Sequence, residues 1–261
     1  MVRTTLTILG IPLLLTALFF AACSPYSTGD YENAVYHTTH FCIYFKERDF
    51  TLSEIKGIGD RKERLLAAIN KALNVNFDDT IPTYLYRGYY SGEASYGGTT
   101  KESRDYVLID DGHEIVHQVC FKELGTTENL FMAEGMAEML SLHLQDYNAI
   151  EAFVLWRDNH DAMNGCDSFW RAKEGDVENQ LIDNGFTSTS YGYQQAGAFL
   201  EWLRQNHGIE KVKSFYRASE DKNGQDLAAI FQALFGTALT DAMQEFMDKY
   251  LSVIPCANTD Q

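Results

Sequence analysis

Basic side chains are scarce in this chain of 261 residues: 21 Lys and Arg stand against 37 Asp and Glu, a formal charge of −16. That balance argues against binding to a phosphate backbone, which rests on cationic contacts, and against docking on anionic lipid through a basic patch. It draws a basic peptide more readily than an acidic one. No C-x-x-C pair occurs among the five cysteines, which sets aside a redox or cysteine-zinc site. There is no internal repeat and no low-complexity tract. The apolar stretch Leu6–Phe20 is short and lightly flanked for a membrane span. What remains is a chain with 45% hydrophobic residues, enough to bury a sizeable core.

Residues 1–22 read as an export signal: Arg3 at the start, the apolar run Leu6–Phe20, then the small residues Ala21 and Ala22. Their removal, with Arg3 as their only charge, takes the chain to −17. Phe20-Ala21-Ala22-Cys23 looks like a bacterial lipobox, with Cys23 as the lipidated residue; the alternative is an ordinary secretory signal with Cys23 incidental. The expected location is therefore the cell envelope, as a lipoprotein touching the membrane only through its N-terminal anchor, or otherwise the exterior. Residues 23–39, polar and turn-rich, read as a tether. The four remaining cysteines, Cys42, Cys120, Cys166 and Cys256, permit two disulfides in an exported protein or stay as buried thiols.

The chemistry concentrates at His113-Glu114-Ile115-Val116-His117. This is H-E-x-x-H, in which two histidines four apart share one helix face and can bind one metal ion. Glu114 stands beside the first ligand, where a carboxylate can take a proton from water and pass it to a leaving amine. On the motif alone, two packed core histidines are the lesser alternative explanation. A zinc enzyme needs a third protein ligand. Glu134 in Ala133-Glu134-Gly135-Met136-Ala137-Glu138 is the better candidate, at the start of a second apolar stretch behind the short loop Gly125–Asn129; Glu123 is a weaker one. Glu138, on the same face as Glu134, would take the outer N–H of a ligand histidine.

HEIVH followed by AEGMAE resembles the gluzincin zinc metallopeptidases, the group of the thermolysin-like enzymes and the leukotriene-hydrolase-type aminopeptidases. Tyr193 to Leu200, with Trp202-Leu203 and His207-Gly208, resembles a later helix of small secreted members. The resemblance spans residues 40–252. It departs in a spacing of 16 residues between His117 and Glu134, slightly short, and in lacking the aminopeptidase recognition motif. It implies an α+β, zincin-like fold and one Zn2+ per chain. His113, His117 and Glu134 would be the ligands and Glu114 the general base. Tyr193 would stabilise the oxyanion, with Tyr191 as second choice. It also implies an edge strand that pairs with extended substrate, for which Ser95–Thr100 is the candidate, Gly97 and Gly98 allowing close approach. The implied activity is hydrolysis of a peptide or protein substrate. An inactive zincin-like surface binding protein and a cell-wall peptide amidase are the other readings.

The rest of the chain fits two lobes. Residues 40–125 read as a small α/β lobe ending in the metal helix. Strands are expected near 40–45, 81–86 and 106–109, and a helix over 52–73 with Ser53 as its cap and Gly57 and Gly59 interrupting it. Asp110 and Asp111 would favour the start of the metal helix. Residues 126–256 read as helical, at 130–144, 148–158, 191–205, 209–218, 227–234 and 239–251, with an irregular loop at 159–190 and a tail at 257–261. The active site would lie between the lobes.

Overall fold

The computed structural model describes residues 34–88, 92–95, 98–109, 112–155, 190–220 and 224–250. The expected export signal, Cys23, the first part of the expected tether, Gly97, Asp110, Asp111, most of the irregular loop with Cys166, Cys256 and the tail lie outside these residues.

The first described elements build a five-stranded sheet. β1 (Ala34–His37) pairs antiparallel with β2 (Phe41–Phe45). Residues 34–37, expected within the tether, are instead a short edge strand of alternating half-buried and exposed residues. Glu63 braces the β1–β2 turn, accepting from the Thr38 hydroxyl at 2.6 Å and the His40 N–H at 2.7 Å. From β2 the chain crosses through α1 (Leu52–Leu73) to β3 (Ile81–Tyr86), parallel to β2. A parallel neighbour requires such a crossover. Thr51, not Ser53, caps α1, because Glu54 completes a capping box: the Thr51 side chain takes the Glu54 N–H at 3.2 Å and the Glu54 carboxylate takes the Thr51 N–H at 2.8 Å. The helix runs unbroken through Gly57 and Gly59. Its Ile55, Ile58, Leu66, Ile69 and Leu73 recur at helix spacing and are all buried.

β4 (Gly92–Ser95) and β5 (Thr99–Ser103) form an antiparallel hairpin whose β5 lies parallel to β3, giving the order β1-β2-β3-β5-β4. β4 is an edge. The strand expected over Tyr106–Ile109 is instead a helical turn, α2 (Arg104–Val107). Ser103 turns the chain by taking the Tyr106 N–H at 3.3 Å. Arg61 then occupies the carbonyls of Val107 and Leu108 at 3.2 and 2.6 Å, which a strand would have offered to a neighbour.

The remaining described chain is helical: α3 (His113–Glu123), α4 (Leu130–Leu144), residues 149–155, α5 (Ser190–His207), α6 (Ile209–Ala218), α7 (Gly224–Phe235) and α8 (Leu239–Tyr250). Asn129 caps α4 through the Met132 N–H at 3.1 Å. The α4–α5 contact is close because both helices present glycine. A Cβ on Gly135 would sit 3.1 Å from the Ala196 backbone, and one on Gly197 would sit 3.2 Å from the Met139 nitrogen. This approach brings the start of α5 beside Glu134 and Glu138. Behind it, Phe199 packs against Phe131, Trp202, Phe231 and Phe246 in a buried aromatic cluster.

Cys42 is disulfide-bonded. Cys120 is a free, buried thiol, pushed up to about 12 by burial, so two disulfides among the four cysteines are ruled out. Cys120 lies on α3 among core side chains, where a thiol packs as a small apolar group.

Candidate metal centre

α3 carries His113 and His117 one turn apart, as their spacing demands. Their Nε2 atoms lie 3.2 Å from each other. Glu134, on the first turn and a half of α4, brings Oε2 to 3.1 Å from His113 Nε2 and 3.2 Å from His117 Nε2. The three donor atoms therefore form an almost equilateral triangle. Zinc bonds of about 2.0–2.1 Å in a tetrahedron hold donors about 3.3–3.4 Å apart. The observed edges match that within a few tenths of an ångström. Two imidazole nitrogens and a carboxylate oxygen also suit zinc by donor type. Among the described residues this is the group that could hold a metal ion. Glu123, the weaker third-ligand candidate, is half-buried at the far end of α3 and does not join it.

The protein groups alone are strongly coupled. Burial would raise the Glu134 carboxyl, but hydrogen bonds and charge from His113 and His117 win and hold it down at about 2. Burial also opposes the His113 cation. The Glu134 hydrogen bond and the charges of Glu114, Glu134 and Glu138 outweigh it and raise His113 to about 9. His117 is lowered, first by burial and then by the His113 charge, so it is the imidazole held neutral. The pair thus behaves as one cationic and one neutral ring around a carboxylate.

Around the triangle lies an open cleft of about 560 Å³. Glu114 lines it and is 6% exposed. Burial pushes its carboxyl up, against the lowering charge of His113 and with the charges of Glu102 and Glu134, to about 7. Glu138 reaches the other side of His113, its Oε2 3.8 Å from Nδ1, and accepts a hydrogen bond from Gln194. Tyr193 stands over His113, ring centroids 6.1 Å apart. Burial and the surrounding carboxylates raise its phenol to about 12, so it keeps its proton. The side chain of Tyr191 lies outside the description.

Gly98 is not at the cleft. It forms the turn between β4 and β5 at φ 80°, its N–H bonded to Ser95 O at 3.0 Å. The strand segment that lines the cleft is Gly92, Glu93 and Ala94, a few residues earlier than expected, because Ser95 already pairs with Thr99 at the end of the ladder. Beyond these three, four lining residues were not expected at the site: Tyr106, Phe121, Leu130 and Ala133. Phe121 was within reach, being four residues past His117 on the same face; its ring stacks on His117 at 5.7 Å. Gly92 is brought in by the pairing of β4 with β5 and Tyr106 by the helical turn that Ser103 caps, neither of which leaves a local mark.

The described residues form a mixed α/β arrangement with a five-stranded sheet, mostly helices, and a His-His-Glu group between two packed helices, consistent with a zincin-like neighbour. The solved structure of an M1 zinc metallopeptidase from Deinococcus radiodurans resembles it with a TM-score of 0.50 at 13% identity, over 86% of this chain and 53% of that one. A point mutant of the same enzyme gives 0.50 at 12% identity over the same shares. The chain spans about half the length of the structures it resembles. No protein-family model matches the sequence. No curated protein matches it either.

Proposed function

We propose that the chain is a zinc-dependent metallopeptidase of gluzincin type. The observation that carries this is the donor triangle of His113, His117 and Glu134, open to a cleft that also holds a buried glutamate and a phenol. These three residues would hold one zinc ion. Zinc supplies a Lewis acid where the donors converge. Glu114 accepts a proton from the attacking water on its carboxylate and returns it to the departing nitrogen; a carboxyl near pH 7 is suited to both transfers. Tyr193 donates its hydroxyl hydrogen to the carbonyl oxygen as that atom gains charge. Glu138 steadies the His113 ring through Nδ1. β4, an edge strand beside α3, offers backbone to an extended peptide.

On this reading the site sits between a small α/β lobe and a helical lobe. The chain is exported and held at the envelope through Cys23, and it acts on peptides or proteins rather than nucleic acid. The test is zinc analysis of the purified protein beside turnover on a peptide library. Wild type should carry one zinc per chain and cleave; Glu134→Ala should lose the zinc. Glu114→Gln should keep it while kcat falls about 10²–10⁴-fold. Wild-type turnover in Glu114→Gln, or a well-folded wild type that takes up no zinc, would sink the proposal.

A further inference from the structure

Glu114 has more freedom than its role allows: a glutamate side chain turns about three bonds, and proton transfer needs its carboxylate within hydrogen-bond reach. Burial by itself does not choose a rotamer. Two neighbours do. Tyr106 points its hydroxyl at Glu114 Oε1 from 3.4 Å. Such bonds are commonly long before substrate arrives. The phenol stands on a rigid base, because Tyr106 is 8% exposed and α2 is fixed at one end by Ser103 and at the other by Arg61. Beside this contact is the bare backbone of Gly92. A Cβ there would lie 2.5 Å from Glu114 Oε1 and 2.8 Å from two Tyr106 ring carbons, closer than real contacts come. Gly92 cannot recede, since it pairs with Glu102 across the hairpin and Glu102 is tied to Lys62 at 2.8 Å.

We propose that Tyr106 and Gly92 are positioning residues for Glu114: the phenol holds one carboxylate oxygen, and the missing side chain at 92 leaves the space in which carboxylate and phenol meet. Three separate elements, β4, α2 and α3, thereby fix one side chain. This rests on the peptidase reading for its consequence in turnover, though not for its geometry.

The experiment uses the zinc-loaded full chain as wild type, Tyr106→Phe and Gly92→Ala, each with zinc content, kcat and KM on a cleaved peptide, and a crystal structure. Tyr106→Phe should keep its zinc and its KM, lose about tenfold in kcat, and show Glu114 in more than one rotamer. Gly92→Ala should displace both side chains and lose about a hundredfold, as a misplacement near 1 Å does. If Gly92→Ala does not fold, Tyr106→Phe decides alone, since it removes a single oxygen. An unmoved Glu114 in Tyr106→Phe with wild-type kcat overturns the proposal. So does a loss of kcat that follows loss of zinc, which would make the role structural. If wild type holds zinc and cleaves nothing, the peptidase reading fails, and the Glu114 rotamer in the variant structures still decides the cradle either way.

Discussion

Two glutamates of this fold face buried partners of opposite kinds. Glu102, on β5, takes both oxygens to Lys62 Nζ at 2.8 Å, and the two side chains are 0% and 1% exposed. The Phe41 ring closes over the ammonium at 5.9 Å. Charge meets charge and the site is sealed. Glu134, on α4, meets two imidazoles at 3.1 and 3.2 Å beside an open cleft whose described lining holds no Lys or Arg. There the lone pairs of three donors converge. The first arrangement is complete as the chain makes it. The second brings two imidazoles and a carboxylate together beside an open cleft, a group that could hold a metal ion. On the function proposed above, the contrast separates a carboxylate that serves stability from one that would serve metal binding, although the charges of both act on Glu114.

The sharpest break in that contrast comes from Lys62. Lys62→Met leaves Glu102 buried without its cation, and removing one partner of such a pair costs about 3–5 kcal/mol. Lys62→Met with Glu102→Leu should recover most of the loss, because a buried pair replaced by apolar groups is often near neutral. Urea denaturation of the three proteins measures both steps. If the double variant were no more stable than the single one, the pair would be holding something besides its own charge, with β5 and the Gly92 register the first place to look.

On the metal side the expected effect is smaller and falls on affinity. Glu138→Gln keeps the shape beside His113 Nδ1 and removes the charge. Zinc affinity should weaken about 10–100-fold, the usual cost of losing an outer partner of a ligand histidine. Competition with a chelator reads this directly. Unchanged affinity would place Glu138 with Gln194 as an α4–α5 contact only.

How much of this could be read from the chain follows the distance over which each feature is specified. The bounds of α4 and α6 match the expectation residue for residue, because apolar spacing and local stops mark them. His113 and His117 were legible because one helical turn relates them. Glu134 was legible because a short loop joins two helices that must pack. The edge of the sheet was not. β1 lies in a stretch whose composition reads as a tether. Tyr106 was assigned to a strand because nothing in its neighbours reveals that Ser103 turns the chain and that Arg61, 46 residues away from Val107, claims its carbonyl. Gly92 looks like any turn glycine until β4 is paired with β5. The half of the cleft built on α3 and α4 was therefore visible, and the half built by strand pairing was not.

The smallest effect separates the carboxylates of the cleft itself. In the metal-free protein Glu134 is held at about 2, below its ordinary 4.5. Its ionised form is favoured by folding, so the stability it contributes is present above pH 4.5 and is lost as pH falls toward 2. Glu114 is raised to about 7, so folding favours its protonated form. Its contribution is present below pH 4.5 and is lost as pH rises through 7. The two act in opposite directions within one site. Thermal denaturation of metal-free wild type, Glu134→Gln and Glu114→Gln between pH 3 and 8 resolves them. Glu114→Gln should melt above wild type at pH 8, by roughly a few degrees for a chain of this size, and should converge with it near pH 4. Glu134→Gln should melt below wild type at pH 7, with the gap narrowing on acidification. If both variants tracked wild type at every pH, the cleft would be more hydrated than its burial implies, and Glu114 would be too well solvated to act as a base near neutrality.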